Sequence, residues 1–265
     1  MPWVYYDFTG IVVDRSSSLM TRVTSDIGVE VTWDGISRVY VTVQNYWSSK
    51  TKGLCGNFNK NQDDDFTTSE KNVETDVALF GESWKLDPSC KSVAKDLPHP
   101  CTVQVQRASE AERMCNILKR NPFTKCHHVV NPDEGYLHSC TYDVCGCQDG
   151  TKCLCSAIAS YTHDCARHGV EIEWRNPSVL PECSIHCGIA DQSYRECGSS
   201  CYKKCRDLSM NTDCSDECSA GCFCPKGSIL NEDDICIPIS ECSCYYKGKE
   251  YKPNSVITPN RCTQW

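Results

Sequence analysis

Apolar and polar residues alternate along the first fifty positions. Val29, Val31 and Trp33 alternate with polar neighbours, and Val39, Val41 and Val43 repeat the pattern. A period of two belongs to a strand whose two faces meet different surroundings. Asp34-Gly35 between the two runs is a hairpin turn signal. Residues 3–47 therefore read as β-sheet. A polar connection follows over 67–100 and carries "ALFGESWKLDPSC", whose Phe80 and Trp84 are expected to pack onto that sheet. From about residue 101 the period lengthens. Ala108, Ala111, Cys115 and Leu118 recur at helical spacing with Ser109 available as a cap. Leu154, Ile158, Tyr161 and Cys165 form a second helical stripe, and Gly169 suits its stop. Beyond residue 183 both signals fade into short polar stretches between cysteines. So little apolar sequence predicts a loop-rich module held by cross-links rather than by a core.

Cysteine changes the picture most. All 24 cysteines fall from Cys55 onward, after a first stretch that has none. That density marks a disulfide scaffold and an oxidising, extracellular compartment. Zinc modules repeat C-x-x-C knuckles with histidine partners. Here the pairs are C-x-C (Cys145/Cys147, Cys153/Cys155, Cys222/Cys224, Cys242/Cys244), a spacing that favours disulfides. The formal charge of −8 argues against a nucleic-acid partner. No apolar run approaches the length of a membrane span. Met1-Pro2-Trp3 is not followed by a signal-peptide core, and Arg261-Cys262-Thr263-Gln264-Trp265 reads as interrupted. The sequence is thus expected to be part of a longer exported chain.

The polar stretch "KGLCGNFNKNQDDDF", residues 52–66, carries the strongest candidate chemistry. Calcium takes roughly six to eight hard oxygen ligands, which a tight loop can supply from alternating positions. Asn57, Asn59 and Asn61 alternate, and Asp64-Asp65 return after a turn. The order resembles short calcium loops without matching the EF-hand pattern, and a solvated Asn/Asp turn fits the same residues equally well. A catalytic acid cluster fits poorly, because such catalysis needs two carboxylates in different environments within a cleft. His163 and His168 are five apart and lie on different helix faces, and His127-His128 read as a loop; neither pair has the spacing of a zinc helix. No serine lies in a G-x-S-x-G elbow. Asn176 precedes proline, so no N-x-S/T acceptor is present.

"GLCGNFN", "DDDF" and "FGESWKLDPSC" together resemble the second half of a von Willebrand factor type D domain. "MCNILKRNPFTKCHHVV", "YLHSCTYDVCGC" and "CLCSAIASYTHDCARHGV" resemble the eight-cysteine domain that follows it, and "CGIADQSYRECGSSCYKKC" through "GCFCPKGSILNEDDICIPISEC" a trypsin-inhibitor-like domain. "CSCYYKGKEYKPNSVI" resembles the start of a further small module. The resemblance runs from about residue 29 to 262. It implies a multidomain, disulfide-rich α+β chain: a β-sheet type D portion over 1–95, a mainly helical eight-cysteine domain over 96–182, a small loop-rich inhibitor-like domain over 183–242, and a truncated module over 243–265. Cys55 and Cys90 fall in the first; Cys101 to Cys165 in the second, with Cys183 placed to tie back to it; ten cysteines from Cys187 to Cys242 in the third, as five possible bridges; Cys244 and Cys262 in the last.

Family members resembling this chain carry Cys-Gly-Leu-Cys where Lys52 begins the motif here, so one expected bridge and any C-x-x-C redox pair are missing. "KCLCSAI" lacks the extra cysteine of assemblies that link covalently, and the first half of the type D domain is absent. The resemblance implies calcium at Asn57, Asn59, Asn61, Asp64 and Asp65, with a further carboxylate supplied from that first half. It also implies a secreted, non-enzymatic module that associates with other D assemblies or binds extracellular protein ligands in matrix, mucus or clot. A regulator that binds a growth factor or a protease is the alternative. Free-standing inhibitor-like domains act through an exposed loop, which here is only Ser215-Asp216-Glu217, short and acidic, so a spacer role is expected.

Overall fold

The computed structural model describes residues 5–6, 10–92, 98–201, 203–209, 218–246 and 249–256. Five antiparallel strands run in sequence order: β1 (Tyr5–Tyr6), β2 (Ile11–Arg15), β3 (Thr21–Ser25), β4 (Val29–Trp33) and β5 (Val39–Val43). Their register aligns Val13, Val23, Val31 and Val41 in one row, flanked on the same face by Val29-Val43 and Trp33-Val39. The alternation thus builds one apolar face, and that face is the open one. Ile11 is 39% exposed, Trp33 48%, Val39 58% and Val41 57%. The opposite face is polar and packs against the rest of the chain; it buries Arg22, whose Nε donates to Asp14 at 2.8 Å.

The β4–β5 connection is a hairpin, with a loop of residues 34–38 rather than a two-residue turn. Asp34 organises it. Its Oδ1 accepts the N–H groups of Ile36, Ser37 and Arg38 at 2.9–3.0 Å, and its Oδ2 accepts Arg38 Nε at 2.8 Å. Burial alone would raise the Asp34 pKa, but these donors outweigh it and hold the carboxyl at about 2. Helix α1 (Val77–Ser83) is capped by the Asp76 carboxylate, which accepts from Ala78 and Leu79. Phe80 is seated by an edge-on Phe66 ring at 5.1 Å, and Trp84 Nε1 donates to Thr67 O at 3.2 Å. Both aromatics thus meet the segment at Phe66-Thr67, which offers them a ring and a carbonyl.

The middle of the chain is helical: α2 (Pro100–Val103), α3 (Val105–Cys115), α4 (Tyr136–Gly146) and α5 (Gly150–Arg167). Leu154, Ile158, Tyr161 and Cys165 of α5 are all buried, against Phe123, Leu118 and Trp174. Each large apolar side chain withdrawn from water contributes roughly 1.5–3 kcal/mol. Gly169, at φ +81°, ends α5 with Val170 N donating to Cys165 O. Ser109 is inside α3 and does not cap it. Pro100 starts the helical course further upstream, where His99 Nδ1 accepts from Cys101 N, and Gln104 precedes α3. Five bridges hold this part: Cys101–Cys145, Cys115–Cys140, Cys126–Cys165, Cys147–Cys153 and Cys155–Cys183. The last ties Cys183 back to α5.

Short strand pairs follow: β6 (Ser193–Ser199) with β7 (Cys218–Phe223), β8 (Ser228–Leu230) with β9 (Cys236–Pro238), and β10 (Cys244–Tyr246) with β11 (Lys249–Tyr251). The bridges Cys187–Cys222, Cys205–Cys242 and Cys224–Cys236 stand in for a core, and Cys201 is bridged as well. Among the described residues Cys55, Cys90, Cys197, Cys218 and Cys244 are unbridged. Cys262 and Cys214 lie outside the described residues, as does the short acidic loop Ser215-Asp216-Glu217.

The third part docks on the first through a serine turn. Ser16, Ser17 and Ser18 join β2 to β3 and meet the edge of β7. Ser17 Oγ donates to Ala220 O at 2.6 Å, Cys222 N donates to Ser18 Oγ at 2.7 Å, and the Ser16 and Ser219 hydroxyls pair at 3.2 Å.

Candidate metal centre

Residues 56–65 coil into a ladder of side-chain to backbone bonds. Asn57 Oδ1 accepts Asn59 N at 3.0 Å, Asn59 Oδ1 accepts Asn61 N at 2.7 Å, and Asn61 Oδ1 accepts Asp63 N at 3.2 Å. Each asparagine thus turns the chain two residues on, as Asx turns do. The residues between them, Phe58 and Lys60, take left-handed φ values of +56° and +69° to allow it. The carboxylates close the coil. Asn59 Nδ2 donates to Asp64 Oδ1 and Oδ2 at 3.1 and 2.9 Å, and Asp65 Oδ1 receives Asn57 N at 3.4 Å.

Gly56 makes the closure feasible. At φ +79° a Cβ there would stand 2.3 Å from Asp65 Oδ1, so a side chain would both strain the backbone and displace the carboxylate. Of the five residues singled out from sequence, Asn57, Asn59, Asp64 and Asp65 are thereby brought into one half-buried coil. Asn61 is exposed and caps the short 3-10 turn Gln62–Asp64 on its outer side.

The donor set is all oxygen from amides and carboxylates, the hard kind that suits calcium rather than zinc. An amide oxygen that accepts one backbone N–H keeps a second lone pair for a cation. Rotating the Asn59 amide would turn its oxygen, instead of its NH₂, toward Asp64. In chemistry, then, the residues fit a calcium ion. In number they supply two carboxylates, and among the described residues no group of three or more His, Cys, Asp or Glu converges.

Lys52, at the head of the motif, is exposed, as are Cys55 and Cys90. Three of the four histidines singled out from sequence are otherwise engaged: His127 Nε2 lies 2.8 Å from Leu118 O, His168 Nδ1 2.9 Å from Asp164 O, and His163 stacks on Tyr40.

Sequence reasoning did not single out the second polar assembly, a cavity of about 730 Å³ where the sheet, α5 and the β6–β7 pair meet. Arg38 and Tyr40 reach it from the sheet, His163 and Arg167 from α5, and Glu196 from β6. Its members share no motif or spacing. The lone available signal is an acidic residue, Glu196, beside a cysteine in a strand.

A family model of the von Willebrand factor type D domain matches residues 4–72, one of the C8 domain residues 114–184, and one of the trypsin-inhibitor-like cysteine-rich domain residues 187–242. Over 244 residues the chain is 39% identical to von Willebrand factor of Bos taurus, an alignment that covers 92% of this chain and 25% of that protein. It is 34% identical over 263 residues to SCO-spondin of Gallus gallus, covering 97% of this chain and 5% of that protein. Human otogelin is 35% identical over 261 residues, or 94% of this chain and 9% of otogelin. The chain therefore spans a quarter or less of the relatives it matches. With its sheet, its bridged helical part and its loop-rich strand pairs in that order, the chain belongs to the von Willebrand factor type D assemblies.

Proposed function

We propose that the chain is a non-enzymatic interaction module of a secreted glycoprotein, working in extracellular assembly or adhesion and binding calcium through Asn57, Asn59, Asn61, Asp64 and Asp65. The observation that carries this reading is the coil that brings Asn57, Asn59, Asp64 and Asp65 together. The sheet before it spends its polar face on the helical and inhibitor-like parts, while Ile11, Trp33, Val39 and Val41 lie open on the other. A twisted row of valines is covered by a second β-layer, which the rest of a type D domain or another chain can supply. The amide-rich coil follows directly on this sheet, so calcium there would fix the chain as it leaves β5. The disulfide density supports an extracellular setting. Among the described residues no helix is long and apolar enough to cross a membrane.

Sedimentation of the whole chain with millimolar calcium and with chelator tests the proposal. Association that weakens when calcium is removed, and again when Val39 and Val41 are both changed to Lys, is expected. A chain that stays monomeric and binds no type D partner under either condition contradicts it.

A further inference from the structure

The five-stranded sheet ends on two unlike edges. β1 is two residues long, whereas β5 offers five, Val39–Val43, in unbroken register with β4. Antiparallel partners exchange hydrogen bonds at every second pair. Asp34 N donates to Arg38 O at 3.2 Å and Gln44 N to Gly28 O at 3.0 Å, which sets the bonded pairs at the two ends of this ladder. By the same alternation, Tyr40 and Thr42 bond to their partners Thr32 and Glu30. Val39, Val41 and Val43 therefore turn their N–H and C=O groups away from β4, toward the free edge. Among the described residues nothing pairs with those groups.

Proteins blunt such an edge with a charge, a proline, a bulge or a cover. The run Val39-Tyr40-Val41-Thr42-Val43 has no charge and no proline, and its register has no bulge. Two clefts follow the edge instead. One, of about 510 Å³, takes in Ser37, Val39 and Tyr40 with Lys152, Ser156 and Ser160 of α5. The other is the junction cavity, which takes in Val41 and Thr42 with Ala159 and Ala166 of α5. Val39 and Val41 point to the open face of the sheet, Tyr40 and Thr42 to the other. A space that reaches both sets and α5 runs along the edge. The Ser37 and Ser156 hydroxyls, paired at 2.8 Å, and the Tyr40–His163 stack hold the strand against the helix there.

We propose that the β5 edge is a docking site for an extended segment of a partner protein, which adds to the sheet as a sixth strand. The chemistry of that segment follows from the two surfaces it continues. On the open face its side chains extend the row of Val39 and Val41, which are 58% and 57% exposed, so they are apolar and β-branched. On the other face they meet Ser156, Ala157 and Ser160, so they are small and uncharged. A second copy of β5 does not fit, since the large Arg38 and Tyr40 side chains alternate with its valines and it carries its own α5. The partner segment thus alternates valine or isoleucine with serine, threonine or alanine. Its site is separate from the coil at residues 56–65 and needs no calcium.

The probe is a fluorescein-labelled peptide, Thr-Val-Ser-Val-Ser-Val-Thr, added to the whole chain. Saturable binding followed by anisotropy is expected. Hydrogen exchange should slow at the Val39, Val41 and Val43 amides, while Tyr40 and Thr42, already bonded to β4, stay as they were. N-methylation of the peptide's valines keeps every side chain but removes the donors that face β5, and should weaken binding at least about 10-fold. Val41→Pro should do the same from the other side, because proline at an edge position whose N–H points outward leaves the ladder with β4 in place. Should that variant fail to fold, the N-methylated peptide on the unsubstituted chain decides. No binding, equal binding of both peptides, or slowing without the alternation overturns the proposal. So does concentration-dependent protection of the same amides without peptide, which would put a second copy at the edge.

Discussion

Arg107 shows what a single side chain contributes here. Its guanidinium donates to the carbonyls of Val144 at 2.8 Å, Cys145 at 3.1 Å and Cys147 at 2.6 Å, which are the unpaired acceptors at the end of α4. Charge-assisted bonds at a helix C-terminus are stronger than neutral ones and complement the helix dipole. Arg107→Ala should therefore cost about 2 kcal/mol, read as a shift of the guanidinium unfolding midpoint with disulfides intact. Arg107→Lys should recover only part of it, since one ammonium cannot fork to three carbonyls. An alanine variant as stable as its parent would contradict this role. Nothing in the sequence around Arg107 announces it, because its acceptors lie 37–40 positions away. The Asn57, Asn59, Asp64 and Asp65 coil, by contrast, was legible, since every bond in it spans at most eight residues and turn chemistry is local.

At the scale of elements, periodicity identified the strands β4 and β5 and the buried stripe of α5, because burial repeats with the backbone period in both. It placed the helical course from about residue 101, as found, but offered Ser109 as a cap although that residue lies inside α3, and it could not say which sheet face is covered. Alternation fixes that two faces differ, while the partner decides which is buried. The seam between the serine turn and β7 depends on one small residue. A Cβ on Gly221 would stand 2.7 Å from Ser17 Cβ and 2.9 Å from its Oγ, and Ser17 is fully buried with nowhere to move. Gly221→Ala should push β7 off the turn and break the bonds to Ala220 and Cys222. The same rupture frees Ser17 Oγ, which accepts from Leu19 and Met20. Amide exchange at Cys222 and Met20 should accelerate together, while bridges within the inhibitor-like part stay intact. Unchanged exchange at both positions would show that the seam yields without opening.

For the whole molecule, cysteine placement was the most informative feature of the sequence. Under the family resemblance it gave the helical part its own set of cysteines, with Cys183 tied back to it, and the matched family models follow the same order; in the inhibitor-like part Cys197 and Cys218 are unbridged rather than one of five pairs. The docking of those parts was hidden because it joins residues more than two hundred positions apart, such as Ser16 and Ser219, without any motif. The assembly that results presents an apolar sheet face outward and an oxygen-lined coil just beyond the sheet, and calcium at that coil is the centre of the functional account. Calorimetric titration of the chain with calcium, beside an Asp64→Ala, Asp65→Ala double variant, tests it directly. The account predicts saturable binding with a Kd of about 10⁻⁴–10⁻³ M, the range of extracellular modules, which disappears in the double variant. Equal binding by both proteins, or none by either, would contradict it.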